Sequence, residues 1–147
     1  MTREMQPAAL QPIGFWSVRA GEAIRARTRG RLSELGVSQQ EWWVLHQLSV
    51  HSHGMSEADL VAIVGPNESD ESIVRAIAAG VDKGWLSRGG DRVRLTELGL
   101  ARFDAAAAVQ KELNDERRQG IVDEDYATTI EVLQRTIVNV GGSAWHW

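Results

Sequence analysis

Residues 84–99 read Gly84-Trp85-Leu86-Ser87-Arg88-Gly89-Gly90-Asp91-Arg92-Val93-Arg94-Leu95-Thr96-Glu97-Leu98-Gly99. The runs Trp85 to Arg88 and Arg92 to Leu95 alternate polar and apolar residues about Gly89-Gly90-Asp91, the pattern of a tight β-hairpin with one face on a core. A lone hairpin of this length is marginal in water, so its neighbours must supply that core. Just before it, Ile73, Ile77 and Val81 recur every four residues up to Lys83-Gly84. This spacing predicts a helix, capped by Asn67 or Ser69, whose other side carries Glu68, Ser72, Arg75 and Ala79. Earlier still, Ser56 with Asp59 three residues on, and Met55 and Leu60 as the apolar pair around them, open a helix of about two turns that Gly65-Pro66 closes. Two short helices joined by a Gly-Pro turn and followed by a hairpin predict a winged helix-turn-helix over about residues 37–96.

Working outward, Gly36 stops a helix over Ile13 to Leu35, with Phe15, Val18, Ile24, Leu32 and Leu35 as its apolar positions. Ser38 and Glu41 form a capping-box pair for the next helix, which carries Trp42, Leu45 and Leu48 and runs to about Val50. His51 to Gly54 reads as a polar turn. After the hairpin, Thr96 caps an alanine-rich helix to about Gln119, Gly120 ends it, and Asp123 caps a last helix. In that last helix Tyr126, Ile130, Leu133, Ile137 and Val140 fall at steps of 4, 3, 4 and 3. Such a seam calls for another helix against it. The fold class is therefore mainly α with a small β-hairpin wing, on one domain spanning residues 1–147.

Composition excludes several functions. The chain has no cysteine, which removes disulfides, thiolate metal sites and thiol nucleophiles together. No apolar run approaches the length of a bilayer span, and Met1 to Leu10 lack a secretion signal's continuous apolar core, so no membrane partner and a cytoplasmic location are expected. There is no phosphate-binding glycine loop, no nucleophile motif and no carboxylate pair at a catalytic spacing, so neither an enzyme nor a cofactor is expected. The net charge of -4 is unevenly spread, and its distribution matters more than its total. Positive charge gathers at Arg25, Arg27, Arg29 and Arg31, and again at Arg88, Arg92 and Arg94, whereas Glu68, Asp70 and Glu71 crowd the start of the helix before the hairpin. The first arginine run reads as a solvated face or as partners of acids across a dimer. His51-x-His53 with His46 nearby lacks a fixed acidic partner, so a solvated turn describes it better than a metal site.

The order of these elements resembles the MarR family (multiple antibiotic resistance regulators) over almost the whole chain. Gly36-Val37-Ser38 before a Trp-bearing helix, Lys83-Gly84-Trp85-Leu86 entering the wing and Asp91-Arg92-Val93-Arg94-Leu95-Thr96-Glu97-Leu98-Gly99 leaving it carry the likeness. The resemblance implies a homodimer built by the first and last helical regions, about 13–35 and 97–140, on a roughly palindromic duplex DNA site. It places the helix before the wing in the major groove and the wing in a neighbouring minor groove. On that reading Arg92 enters the minor groove, Ser72 and Arg75 read base edges, Ser69 lies at the helix start, and Arg88 and Arg94 meet phosphates or the protein itself. The family also implies an effector pocket beside the first two helices, for which Trp16, Trp42 and His46 are the candidates, suited to a small aromatic or amphipathic ligand. Trp145-His146-Trp147 would dock on the partner subunit. The acidic helix start leaves a second reading open, in which the winged-helix dimer is a protein-interaction module with weak or lost DNA binding.

Overall fold

Residues 3–145 are described by the computed structural model. In chain order they form α1 (Ile13–Ser33), α2 (Gln39–Ser49), β1 (Met55–Ser56), α3 (Glu57–Val64), α4 (Asp70–Asp82), β2 (Leu86–Gly89), β3 (Arg92–Leu95), α5 (Glu97–Arg118) and α6 (Asp123–Asn139), with 3-10 turns at Ala8–Leu10 and Gly65–Asn67. Four helices begin where a hydroxyl can catch an unpaired amide, an interaction worth about 1 kcal/mol each. Ser38 Oγ accepts from the Glu41 N–H at 3.1 Å while the Glu41 carboxylate accepts from the Ser38 N–H at 3.0 Å, a complete capping box. Ser56 accepts from the Asp59 N–H, Ser69 from the Ser72 N–H and Thr96 Oγ1 from the Gly99 N–H. The last helix differs from the sequence expectation: Val122 holds the cap position without a side-chain bond, and Asp123 is the first helical residue. Its carboxylate instead meets Arg118 at 3.2 Å.

The chain divides into two compact units, with the break between Gln110 and Lys111. In the first, α2, α3 and α4 pack with the sheet around Leu45, Leu48, Leu60, Ile73, Ile77, Leu86 and Val93, all buried, and Leu32 anchors the end of α1 to them. The sheet has three strands rather than two, in the order β1-β3-β2, all antiparallel. Register pairs Leu86 with Leu95 and Gly89 with Arg92 across a Gly90-Asp91 tip, and Met55 with Val93 on the other edge. The start of α5 closes on this sheet: Thr96 Oγ1 donates to the Gly84 carbonyl at 2.6 Å, and a Cβ at Gly99 would lie 2.0 Å from the Trp85 carbonyl oxygen. Only glycine permits that approach. The front of α1 is uncovered in this unit, with Phe15, Trp16, Val18 and Ile24 each more than 40% exposed.

In the second unit, Arg118 at the end of α5 stacks 3.8 Å from the Tyr126 ring and pairs with Asp123, fixing the turn into α6. None of the residues of α6 is buried, and Ile130, Ile137 and Val140 of its apolar seam are exposed. His146 and Trp147, part of the aromatic tail singled out above, lie outside the described residues.

Candidate nucleic-acid interface

α4 buries the face its apolar spacing predicts, with Ile73 and Ile77 inside and Arg75 outside, and departs from it at Ser72. Buried positions are Ser72, Ile73, Ala76, Ile77 and Gly80, a stripe at i, i+1, i+4, i+5 and i+8 that small residues share with the isoleucines. Ser72, expected outside, is turned in, where its hydroxyl donates to the Ser69 carbonyl at 2.8 Å and its amide to Ser69 Oγ at 3.1 Å. Both serines therefore hold the first turn of α4 together. The small residues are there for close packing: a Cβ on Gly80 would come within 2.8 Å of Leu86. The exposed residues of α4 are Asp70, Glu71, Val74, Arg75 and Asp82, with Ala78, Ala79 and Val81 half-buried.

Arg75 also lines an open groove of about 300 Å³ between α2 and α4, with Ser38, Gln40, Glu41, Glu68 and Ser72. The Gln40 amide donates to the Glu68 carboxylate across its mouth. Asp70, the first residue of α4, packs its carboxylate against Gly65, where an added Cβ would meet it at 2.2 Å. The acids predicted to crowd this helix start thus divide: Asp70 turns toward the preceding turn, Glu68 toward α2, and Glu71 outward.

Beneath the groove lies a network that local sequence signals do not reveal. Lys83, just past α4, donates to Glu41 Oε2 at 2.7 Å, to Glu41 Oε1 at 2.9 Å and to the Gly36 carbonyl at 3.0 Å, and lies 4.5 Å from the Trp85 ring centre. Glu41 is only 6% exposed. Its carboxylate therefore serves both the α2 cap and the C-terminal end of α4, fixing one helix against the other. Arg102 on α5 ties the same loop from behind by donating to the Leu35 carbonyl at 2.9 Å.

All three wing arginines have partners in the segment 53–57. Arg88 on β2 lies 3.5 Å from the Glu57 carboxylate at the start of α3. Arg92 Nη1 donates to the Gly54 carbonyl at 2.9 Å, and Arg94 Nε donates to the His53 carbonyl at 3.0 Å. The intramolecular role expected of Arg88 and Arg94 thus extends to Arg92. A guanidinium carries five N–H donors, so one bond each leaves most of the donor capacity available. His51, in the same turn, places Nδ1 2.7 Å from the Gln47 carbonyl, and the described residues contain no cluster of three or more His, Cys, Asp or Glu suited to a metal.

Of the effector candidates, Trp42 and His46 come together. Trp42 stacks on Phe103 at 5.6 Å and 4°, with His46 5.5 Å from Trp42 and 6.3 Å from Phe103. Phe103, on α5, is the member that sequence spacing could not assign to this group. Trp16 is placed otherwise: it meets Phe15 edge-on at 5.1 Å, and its indole N–H donates to Gln11 at 2.6 Å. No helix among the described residues is long and apolar enough to cross a membrane.

No protein-family model and no curated protein sequence matches the chain. Solved structures do. A MarR family protein of Mycobacterium tuberculosis in complex with DNA is 22% identical, with a TM-score of 0.70 over 86% of this chain and 98% of that one. CouR from Rhodococcus jostii bound to p-coumaroyl-CoA is 21% identical, with a TM-score of 0.72 over 88% and 94%. MarR from E. coli is 19% identical, with a TM-score of 0.69 over 87% and 95%. Such wide coverage at low identity reports backbone architecture, and the helices, three-stranded sheet and closing helices found here are its parts. The chain has the MarR-type winged helix-turn-helix fold.

Proposed function

We propose that this protein is a DNA-binding transcriptional regulator, not an enzyme, that acts as a homodimer on a roughly palindromic duplex site. The observation that carries the reading is the pairing of α4, with Arg75 on its outer face, with a wing bearing Arg88, Arg92 and Arg94 on a scaffold shared with a DNA-bound MarR protein. An α-helix fits the major groove, and arginine suits a narrow minor groove. The uncovered apolar faces of α1 and α6 support dimerisation through the terminal helices. All 147 residues then act as one MarR-like domain in a soluble, cytoplasmic protein. The Trp42, His46 and Phe103 group supports control by a small aromatic or amphipathic effector.

Selection from a random duplex library with the purified protein tests this reading. The expected result is a palindromic consensus bound far more tightly than random duplex, with log affinity falling linearly in log salt through counterion release. A second reading is favoured by Glu68, Asp70 and Glu71 at the start of α4, which oppose phosphate approach: a dimeric scaffold that contacts another protein through this face. Failure to enrich any sequence at low salt supports that reading and overturns the first.

A further inference from the structure

The turn between α2 and β1, residues 51–54, bonds to the wing as well as to α2. Its last two carbonyls accept from Arg92 and Arg94. These arginines are two apart on β3, so both side chains leave the same face of the sheet, opposite buried Val93. The turn reaches them because the chain bends at Gly54, which is buried and adopts φ +78. A Cβ there would lie 2.5 Å from Arg94 Cγ and 2.5 Å from the Val93 carbonyl oxygen. Two constraints therefore coincide at one residue: a left-handed backbone and contact with β3 too close for any side chain. Directly after it, Met55 and Ser56 pair with Val93 and Arg92, so the carbonyl bonds and the strand register reinforce each other.

From this geometry we infer that Gly54 and the 51–54 turn are the positioning element of the wing. The His53 carbonyl holds Arg94 as an anchor, and the Gly54 carbonyl restrains Arg92 through one N–H, leaving the other guanidinium donors for DNA. A long side chain otherwise loses rotamer freedom when it binds, and restraining it beforehand lowers that cost. The inference rests on the DNA-binding reading above and deepens it: specificity at the wing depends on a residue that touches no DNA.

A mutant cycle tests it, using the full chain and a duplex selected by the wild-type protein. Gly54→Ala, with fold retention verified by circular dichroism and a cooperative melt, is expected to bind about tenfold more weakly, the scale of one charged hydrogen bond. In an Arg92→Ala background the same change is expected to alter affinity by less than about twofold, because the turn acts through Arg92. A 2-amino group added to minor-groove adenines, as 2,6-diaminopurine, should weaken the wild type more than Gly54→Ala. Equal losses in both backgrounds, or no loss in folded Gly54→Ala, overturn the inference. If Gly54→Ala does not fold, Arg94→Met removes the donor to His53 without adding bulk and enters the same cycle under the same criteria. Arg92→Ala binding like wild type overturns the inference while leaving DNA binding intact, whereas failure of the wild type to select any duplex overturns the underlying reading.

Discussion

Replacing Lys83 by Met removes three hydrogen bonds at once while keeping most of the apolar stem. Two of them end on Glu41, which is 6% exposed and would retain only the Ser38 N–H as a partner. A charged hydrogen bond contributes about 1.5 to 3 kcal/mol, and an unpaired buried charge costs more. The Lys83 side chain, however, is 40% exposed, so water already screens its half of the pair, and about 2 kcal/mol is the appropriate figure. Loss of the ammonium over Trp85 adds about 0.5 kcal/mol. For a chain of this size the total lowers Tm by roughly 5 to 10 °C. Urea unfolding at fixed protein concentration measures it, since association would otherwise shift the midpoint. Glu41→Gln can still close the capping box and leaves no buried charge; in that background Lys83→Met should cost about half as much. Lys83→Met within about 0.5 kcal/mol of wild type, or equal costs in the two backgrounds, refutes the claim that Glu41 and Lys83 join α2 to α4.

Arg75→Ala is expected to cost roughly 1 to 3 kcal/mol on the selected duplex and less on random DNA, because Arg75 projects from the helix that the proposed reading puts in the major groove; gel shifts at two salt concentrations measure both. Asp70→Gln with Glu71→Gln should raise affinity for random duplex by relieving repulsion of phosphates, and indifference to all three substitutions would remove α4 from the interface. Sedimentation equilibrium at micromolar concentration should give twice the chain mass if the uncovered apolar faces of α1 and α6 form the proposed dimer contact; a cooperatively folded monomer would refute dimerisation.

The parts of the fold that were legible in the sequence are those that local chemistry controls. Ser38, Ser56 and Thr96 cap the helices assigned to them, and of Asn67 and Ser69 it is Ser69 that caps α4, because a hydroxyl satisfies an amide two or three residues away whatever the tertiary context. The hairpin was legible for a similar reason, since glycine and alternation mark its turn; Gly89, read as part of that turn, instead ends β2 opposite Arg92 and leaves a two-residue tip. β1 was not, since a two-residue strand has no period to detect and exists only through its pairing with β3. Nor was the inward turn of Ser72. Periodicity marks where large apolar residues lie, but the edge of a buried stripe can be any small residue that allows a neighbour close, as Ser72, Ala76 and Gly80 do. The partners Lys83 and Glu41, Arg92 and Gly54, and Arg94 and His53 stand 42, 38 and 41 residues apart, beyond the reach of any local signal. Likewise Trp16 and Trp42 look alike as helical aromatics, and only packing separates the ring paired with Phe15 from the ring stacked on Phe103.

The inward turn of Ser72 also constrains how a duplex could be read. With Ser72 bonded to Ser69 and both Ala78 and Ala79 half-buried, the outer face of α4 near its start offers Glu71, Val74 and Arg75 to a groove. This set holds one bidentate donor for guanine, one acceptor for a cytosine amino group and one apolar contact suited to a thymine methyl. At about 1 to 3 kcal/mol for each good pairing, two polar contacts per subunit supply only part of the 4 to 10 kcal/mol that typically separates specific from non-specific binding. A symmetric dimer doubles this to about 4 to 12 kcal/mol, which covers that range only when the pairings are good; at the low end, wing contacts and the deformability of bases the protein does not touch supply the difference. In that case discrimination is spread over the half-site spacing and the minor-groove width rather than concentrated under α4. Inserting one base pair between half-sites should therefore weaken binding more than mutating any single base contacted by Arg75, and the reverse order would return the weight of specificity to α4.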